Sequence, residues 1–178
     1  MSVVKTKMNL KEHLTEKKAD ILKKWFDAVV ETYPSETSTF LKKQKAQFTN
    51  PVGYTLSEGL GHLFDALLRG MLPDTVSRFL DSIVRIRAIQ EFAPSEAVSF
   101  IFQLKKLVRQ ELGTVILQQQ GIAEELAAFD SAIDDLALYA FDLYMKCREK
   151  IYDIKANEAR NMTFRLLQQA RLIVDNQD

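Results

Sequence analysis

Apolar residues recur along most of this chain at steps of three, four and seven, the period of one helix face, and no stretch alternates as a half-buried strand would. Leu10, Leu14, Ile21, Trp25 and Val29 form the first stripe, with Leu22, Phe26 and Val30 beside it, and predict one helix from residue 10 to about Tyr33. Asn9 and Glu12 have capping-box spacing at its start. Pro34 ends it, because proline disfavours helical geometry in the residue before it. Phe40 and Leu41 mark a short helix over 39–46. The stretch from Phe48 to Tyr54 reads as a loop, with Asn50-Pro51 and Gly53 as turn chemistry. Thr55 and Glu58 form a second capping box, opening a helix over 55–71 that turns Leu56, Leu60, Leu63, Phe64, Leu67 and Met71 inward. Asp74 caps a helix over 75–90 with Phe79, Leu80, Ile83 and Val84. Pro94 and Ser95 start another, carrying Val98, Ile101, Leu104, Val108, Val115 and Ile116. Gly121 closes it, since glycine tolerates the left-handed cap position.

Beyond Gly121 nothing breaks the chain, and residues 122–178 predict a single helix of about 85 Å at ~1.5 Å per residue. A compact domain of this length has a radius of gyration of only about 16 Å, so the last third must leave the core, bend back or fray. Between 122 and 152 this helix is apolar on two faces. Phe129, Ile133, Leu136, Ala140, Leu143 and Cys147 lie on one, and Leu138, Phe141, Met145 and Tyr152 on another. Neighbours such as Leu136 and Leu138 lie about 200° apart around the axis. A surface helix of a monomer needs one stripe. Two predict that one side meets its own domain and the other a second copy of the chain; the plainer alternative is a helix wrapped on both sides by its own fold. Past Cys147, Ile151, Ala159, Met162, Leu166, Ala170 and Ile173 recur near an eleven-residue period, a weak seam able to pair or splay. Met162 and Leu166 therefore extend the expected interface.

Composition narrows the class. The 178 residues fit one domain, and 47% hydrophobic with 27% charged residues allows an ordinary core. A formal net charge of zero argues against a nucleic-acid surface. Lys42, Lys43 and Lys45, and Arg85 and Arg87, read as solvated helix faces. One cysteine excludes a disulfide within the chain and fits a reducing compartment. Without the apolar core of a signal peptide, or about 20 consecutive apolar residues, the expectation is a cytoplasmic protein with no membrane partner.

Candidate chemistry is sparse. His13 sits on the polar part of its helix and is expected to be exposed. His62 is either a haem or metal ligand or a helix residue at a packing boundary, and the second is the simpler reading. Glu58 and His62 are four apart with no second pair, which fails the pattern of a di-iron bundle. Glu124, Glu125, Asp130, Asp134 and Asp135 read as the solvated start of the last helix, where negative charge suits the dipole. Cys147 lies on an apolar stripe and reads as a buried, inert thiol. No phosphate loop, calcium loop or nucleophile elbow occurs, so neither an enzyme nor a cofactor is expected.

The stretches ILKKWFDAVVETYP and FTNPVGYTLSEGLGHLFDAL carry Trp25, Tyr33-Pro34, Phe48 and Asn50-Pro51-Val52. They resemble the N-terminal domain of RsbRD-type regulators, the RsbT co-antagonist proteins of bacterial stress signalling, from about Leu10 to about Ile151. The resemblance implies an all-α, globin-like sensor domain over 1–152, lacking haem, dimeric through its last helices. It also implies an extended helical segment over 153–178 leading towards an output partner of STAS or kinase type. Read that way, 55–71 is E-like and 75–90 F-like, and the F-like helix has no histidine to serve as a proximal haem ligand. Members of that family usually continue into an effector, so a chain ending at Asp178 is expected to be a fragment or a module acting on another chain. The expected function is thus a non-enzymatic, homodimeric regulatory module that relays a signal along its last helix. The alternative is a small-molecule or haem carrier with Trp25, His62, Phe64 and Phe102 around a pocket.

Overall fold

A computed structural model describes residues 8–43, 48–70, 77–119 and 121–170. Eight helices and no strand occur among them: α1 (Leu10–Glu16), α2 (Lys18–Val30), α3 (Ser35–Lys43), α4 (Pro51–Arg69), α5 (Ser77–Ile89), α6 (Pro94–Leu112), α7 (Val115–Gln118) and α8 (Ile122–Gln169). Lys45, Met71, Asp74 and Ile173 lie outside the described residues.

The expected first helix is two. Its stripe skips from Leu14 to Ile21, so polar residues alone span the next turn, and the chain breaks at Lys17 (φ −93°, ψ 6°). The capping box of Asn9 and Glu12 is present in both directions. The stretch read as a loop before α4 is the start of α4. Asn50 is its N-cap and Pro51 its first residue, where a missing N–H costs nothing. Asn50 is buried; its side chain accepts from the Gly53 N–H at 2.8 Å and donates to the Leu41 carbonyl at 3.0 Å. A Cβ on Gly53 would sit 2.2 Å from the Asn50 amide nitrogen, so the motif needs glycine there. Thr55 and Glu58 accordingly fall inside α4 and cap nothing. Gly113, at φ +50°, ends α6 early and puts Val115 and Ile116 on α7, not on the helix expected to run to Gly121.

These helices form an all-α, globin-like bundle. α8 packs chiefly on α6 and α5, α4 on α5, and α2 on α6 and α4. The core joins Ile21, Trp25, Leu63, Phe64, Leu80, Ile83, Phe100, Leu104, Ile133 and Leu136, all essentially solvent-free. Burying the Trp25 indole leaves no donor unpaired, because Nε1 donates to the Phe100 carbonyl at 2.7 Å. α4 and α5 touch so closely that a Cβ on Gly59 would lie 2.7 Å from Ile83 Cδ1. A macrocycle between these E- and F-like helices would have to part them.

α8 spans about 72 Å at ~1.5 Å per residue. Its inner face buries Phe129, Ile133, Leu136 and Ala140, and Leu143, Cys147 and Ile151 pack partly against the core. From Tyr152 to Leu166 every residue is exposed. The acidic start of α8 is less solvated than expected: Glu125 accepts from the Leu10 N–H at 2.7 Å, Asp134 pairs with Lys105 at 2.6 Å, and Asp130 pairs with Arg109. Three of the five carboxylates therefore fasten α8 to α1 and α6. His13 is also a correction. It is buried, with Nε2 3.1 Å from the Gln119 amide, because α1, set off from α2 by the break at Lys17, lies against α6 and α8.

Candidate functional site

The inner stripe of α5 is Leu80, Ile83, Val84 and, one turn on, Arg87. Expected on a solvated face, Arg87 is 0% exposed. Its neighbour Arg85 does lie at the surface, paired with Asp81 at 2.8 Å. The Arg87 guanidinium sits 4.2 Å from the Phe92 ring centroid and 5.6 Å from those of Tyr33 and Phe100. Tyr33 and Phe92 meet edge to face at 5.1 Å. Aromatic faces attract a cation, most strongly where water is absent.

This cage satisfies only part of the guanidinium. Nη2 donates to the Glu96 carbonyl at 2.9 Å and to Thr32 Oγ1 at 3.2 Å. Nε and Nη1 are buried without a partner, and so is the Tyr33 hydroxyl. No carboxylate among the described residues lies at ion-pair distance from Arg87. The Glu96 carboxylate points elsewhere, accepting from the Ala93 N–H at 3.2 Å at the start of α6. Desolvation lowers the Arg87 pKa, countered by the charge of, and hydrogen bonding with, Tyr33 and then by the Glu96 charge. Guanidinium is nevertheless protonated at any ordinary pH. Burial pushes the Tyr33 hydroxyl upward while the Arg87 charge works against that shift. The hydroxyl and the guanidinium act on one another both by charge and by hydrogen bonding, although the pair falls outside strict hydrogen-bond geometry.

A cleft of about 390 Å³ borders the cage, lined by Thr32, Tyr33, Pro34, Thr37, Gln90, Glu91, Phe92 and Glu96. Four of these, Thr32, Tyr33, Phe92 and Glu96, also contact Arg87.

The turn after Arg87 ties the cage to α8. Glu91 adopts a left-handed conformation (φ 60°), uncommon for a side chain of its kind. The Phe92 N–H returns to the Arg87 carbonyl at 3.2 Å, and the Glu91 N–H to Ala88 at 3.3 Å. Three α8 side chains hold this turn: Tyr144 donates to the Phe92 carbonyl, Arg148 to the Ala88 carbonyl at 3.0 Å, and Lys155 to the Glu91 carboxylate at 2.9 Å. The Lys155 bond keeps the Glu91 carboxyl below its usual range. Arg148 also donates to Tyr152 Oη at 2.7 Å and lies over that ring. The three anchors sit where α8 leaves the body.

Of the residues expected at an interface, Leu138, Phe141, Met145, Tyr152, Met162 and Leu166 are all exposed on α8. Tyr152 is shared with Arg148 and is not a free apolar contact. Ile154 and Phe164 are exposed as well, off the expected stripe. The four residues expected around a pocket do not share one. Trp25 and Phe64 are sealed in the core, Phe102 is 46% exposed, and His62 is exposed and stacked on Phe79 at 3.8 Å. Arg87, Tyr33, Phe92, Tyr144 and Arg148 were not foreseen as a site. The spacing of Leu80, Ile83, Val84 and Arg87 at i, i+3, i+4 and i+7 is the signal that marks Arg87 as inward-facing.

No group of three metal-ligating side chains occurs among the described residues, and none of their helices is long and apolar enough to cross a membrane. A sequence model of the RsbT co-antagonist protein rsbRD N-terminal domain matches residues 19–159. An uncharacterized protein of Archaeoglobus fulgidus is 29% identical over 84 residues, which cover 47% of this chain and 51% of that relative. The chain thus spans about half the length of this relative. No solved structure matches the chain.

Proposed function

The chain belongs to the RsbT co-antagonist protein rsbRD N-terminal domain family, a regulatory signalling family, and from that premise we propose a homodimeric, non-enzymatic sensory module that relays its state along α8. The observation that carries this reading is the uncovered apolar outer face of α8. Leu138 is 68% exposed, and Phe141 and Met145 follow it at three and seven residues, on the side opposite the buried Leu136 and Ala140. A second copy related by a two-fold axis would cover that face, the commonest form of association for a soluble chain. The segment from Tyr152 onward would then lie beside its mate as a weakly paired lever, read by a downstream STAS-type or kinase-type protein in the cytoplasm.

The anchors on the 88–92 turn support the relay. Any change at the turn bears on Tyr144, Arg148 and Lys155, and so on the angle at which α8 departs. A signal acts by favouring one of two arrangements of this joint. Light scattering at tens of micromolar tests the dimer. The wild-type chain should have twice the monomer mass, and Phe141→Glu or Met145→Glu should reduce it by placing an unpaired charge in the contact. A wild-type monomer removes the reading.

A further inference from the structure

We infer that the Arg87 cage is a binding site for a small monocarboxylate, its carboxylate on Arg87 and the Tyr33 hydroxyl and its short apolar part in the bordering cleft.

The cage has the donors and lacks the acceptor. Nε and Nη1 of a fully buried cation, and the Tyr33 hydroxyl, are without partners in one place. The Tyr33 hydroxyl takes up part of this demand through its interaction with Arg87, but the remaining guanidinium N–H and the cation itself call for an oxygen bearing negative charge. Water would fill the hydrogen bonds but leave the charge only partly offset, by Glu96 from beyond ion-pair distance, and a buried charge without a close counter-ion is unfavourable. A carboxylate supplies both.

The surroundings select among anions. Glu91 and Glu96 stand in the cleft wall. Their negative charge opposes phosphates and other multiply charged groups far more than a monoanion. Glu91 is engaged by Lys155, and Glu96, turned to the Ala93 N–H, acts on Arg87 only from beyond ion-pair distance. Phe92 and Tyr33 supply the apolar part of a cleft whose exposed lining is more polar than apolar, and its volume of about 390 Å³ is ample for an acid of a few carbons. Tyr33 divides cage from cleft, since its ring faces Arg87 and also lines the opening. Access to Arg87 from the cleft requires Tyr33, buried against Phe92, to turn aside.

Occupancy would fix Phe92 and hence the turn that α8 holds. This last step rests on the regulatory reading; binding itself does not, and the two are read separately, by ligand titration and by particle mass.

The test uses the full chain titrated with butyrate, with butyramide as the neutral isostere and sodium chloride at matched ionic strength. Trp25 is the sole tryptophan and reports on the site through Phe100, which it stacks on at 6.4 Å and which itself faces Arg87. A saturable fluorescence change and a rise in melting temperature are expected with butyrate and not with butyramide. Both should be absent in Arg87→Met and about tenfold weaker in Tyr33→Phe, the loss of one hydrogen bond to a charged group. An equal response to chloride makes this a halide site and overturns the carboxylate assignment. A butyrate response retained in Arg87→Met, or none in wild type, overturns the proposal. Should Arg87→Met fail to fold, Tyr33→Phe decides, since it deletes only an unpartnered hydroxyl: unchanged butyrate affinity there is equally fatal.

Discussion

Arg148 of α8 donates to the Ala88 carbonyl at 3.0 Å, joining the long helix to the last turn of α5, one residue beyond the buried Arg87. Tyr144 and Lys155 grip the same turn from one helical turn before and two after, so the joint between body and α8 is a row of three polar contacts on one face.

Loosening this joint should be visible locally. Tyr144→Phe leaves the Phe92 carbonyl without its donor and should cost about 1 kcal/mol of stability. Arg148→Met should speed hydrogen exchange at the Gln90, Glu91 and Phe92 amides while leaving α2 and α4 protected. Exchange in the turn unchanged in both variants would mean that α8 does not hold it.

Arg87 should be a poor contributor to stability. Removing a buried charge that has no counter-ion at ion-pair distance recovers its desolvation cost, which offsets the loss of its two hydrogen bonds. Arg87→Met is therefore expected to be no more than about 1 kcal/mol less stable than wild type in chemical denaturation without added anion. A loss of several kcal/mol would show that the cage is structural.

The start of α4 makes a sharper stability prediction. Asn50→Ala removes the cap of Gly53 and the bond to Leu41, and should cost about 1–2 kcal/mol. Gly53→Ala should cost at least as much, because the new Cβ lies within 2.9 Å of three Asn50 side-chain atoms that are themselves confined. Midpoints of urea unfolding check both.

That motif also shows what was legible from sequence. Helical periodicity placed the inner faces of α2, α4, α6 and α8 correctly, since burial follows the spacing of apolar residues. Asn50-Pro51 was misread as a turn because the same pair serves a loop or a helix start, and only the contact with Leu41, across α3, decides. Gly113 lies inside an apolar helical pattern, and nothing in the spacing around it marks its positive φ. The site was hidden for a related reason. Arg87 occupies an inward position, yet an arginine there is read as surface unless an aromatic cage is known to await it. That cage comes from α2's end, the α5–α6 turn and α6, which no local pattern brings together.

Cys147 gives a pH dependence. Burial, with Asp81 nearby, pushes its thiol above the ordinary 9.0. A pKa raised by folding favours the neutral thiol in the native state. Its contribution to stability is complete below the unfolded pKa and is lost as pH rises through the folded value. Alkylation by a thiolate-selective reagent at pH 8 should be markedly slower than in urea-unfolded chain, with a rate midpoint above 9.0. Equal rates would place the thiol in solvent.

The outer face of α8 is best tested by distance. A single spin label at Asn161, exposed on the emergent part of α8, in a Cys147→Ser background reports on its mate by pulsed electron resonance. Paired helices lie about 8–10 Å apart, so the account predicts strong dipolar modulation and one inter-protomer distance below about 30 Å, lost in Phe141→Glu. An absence of modulation in the wild-type background at tens of micromolar would contradict it.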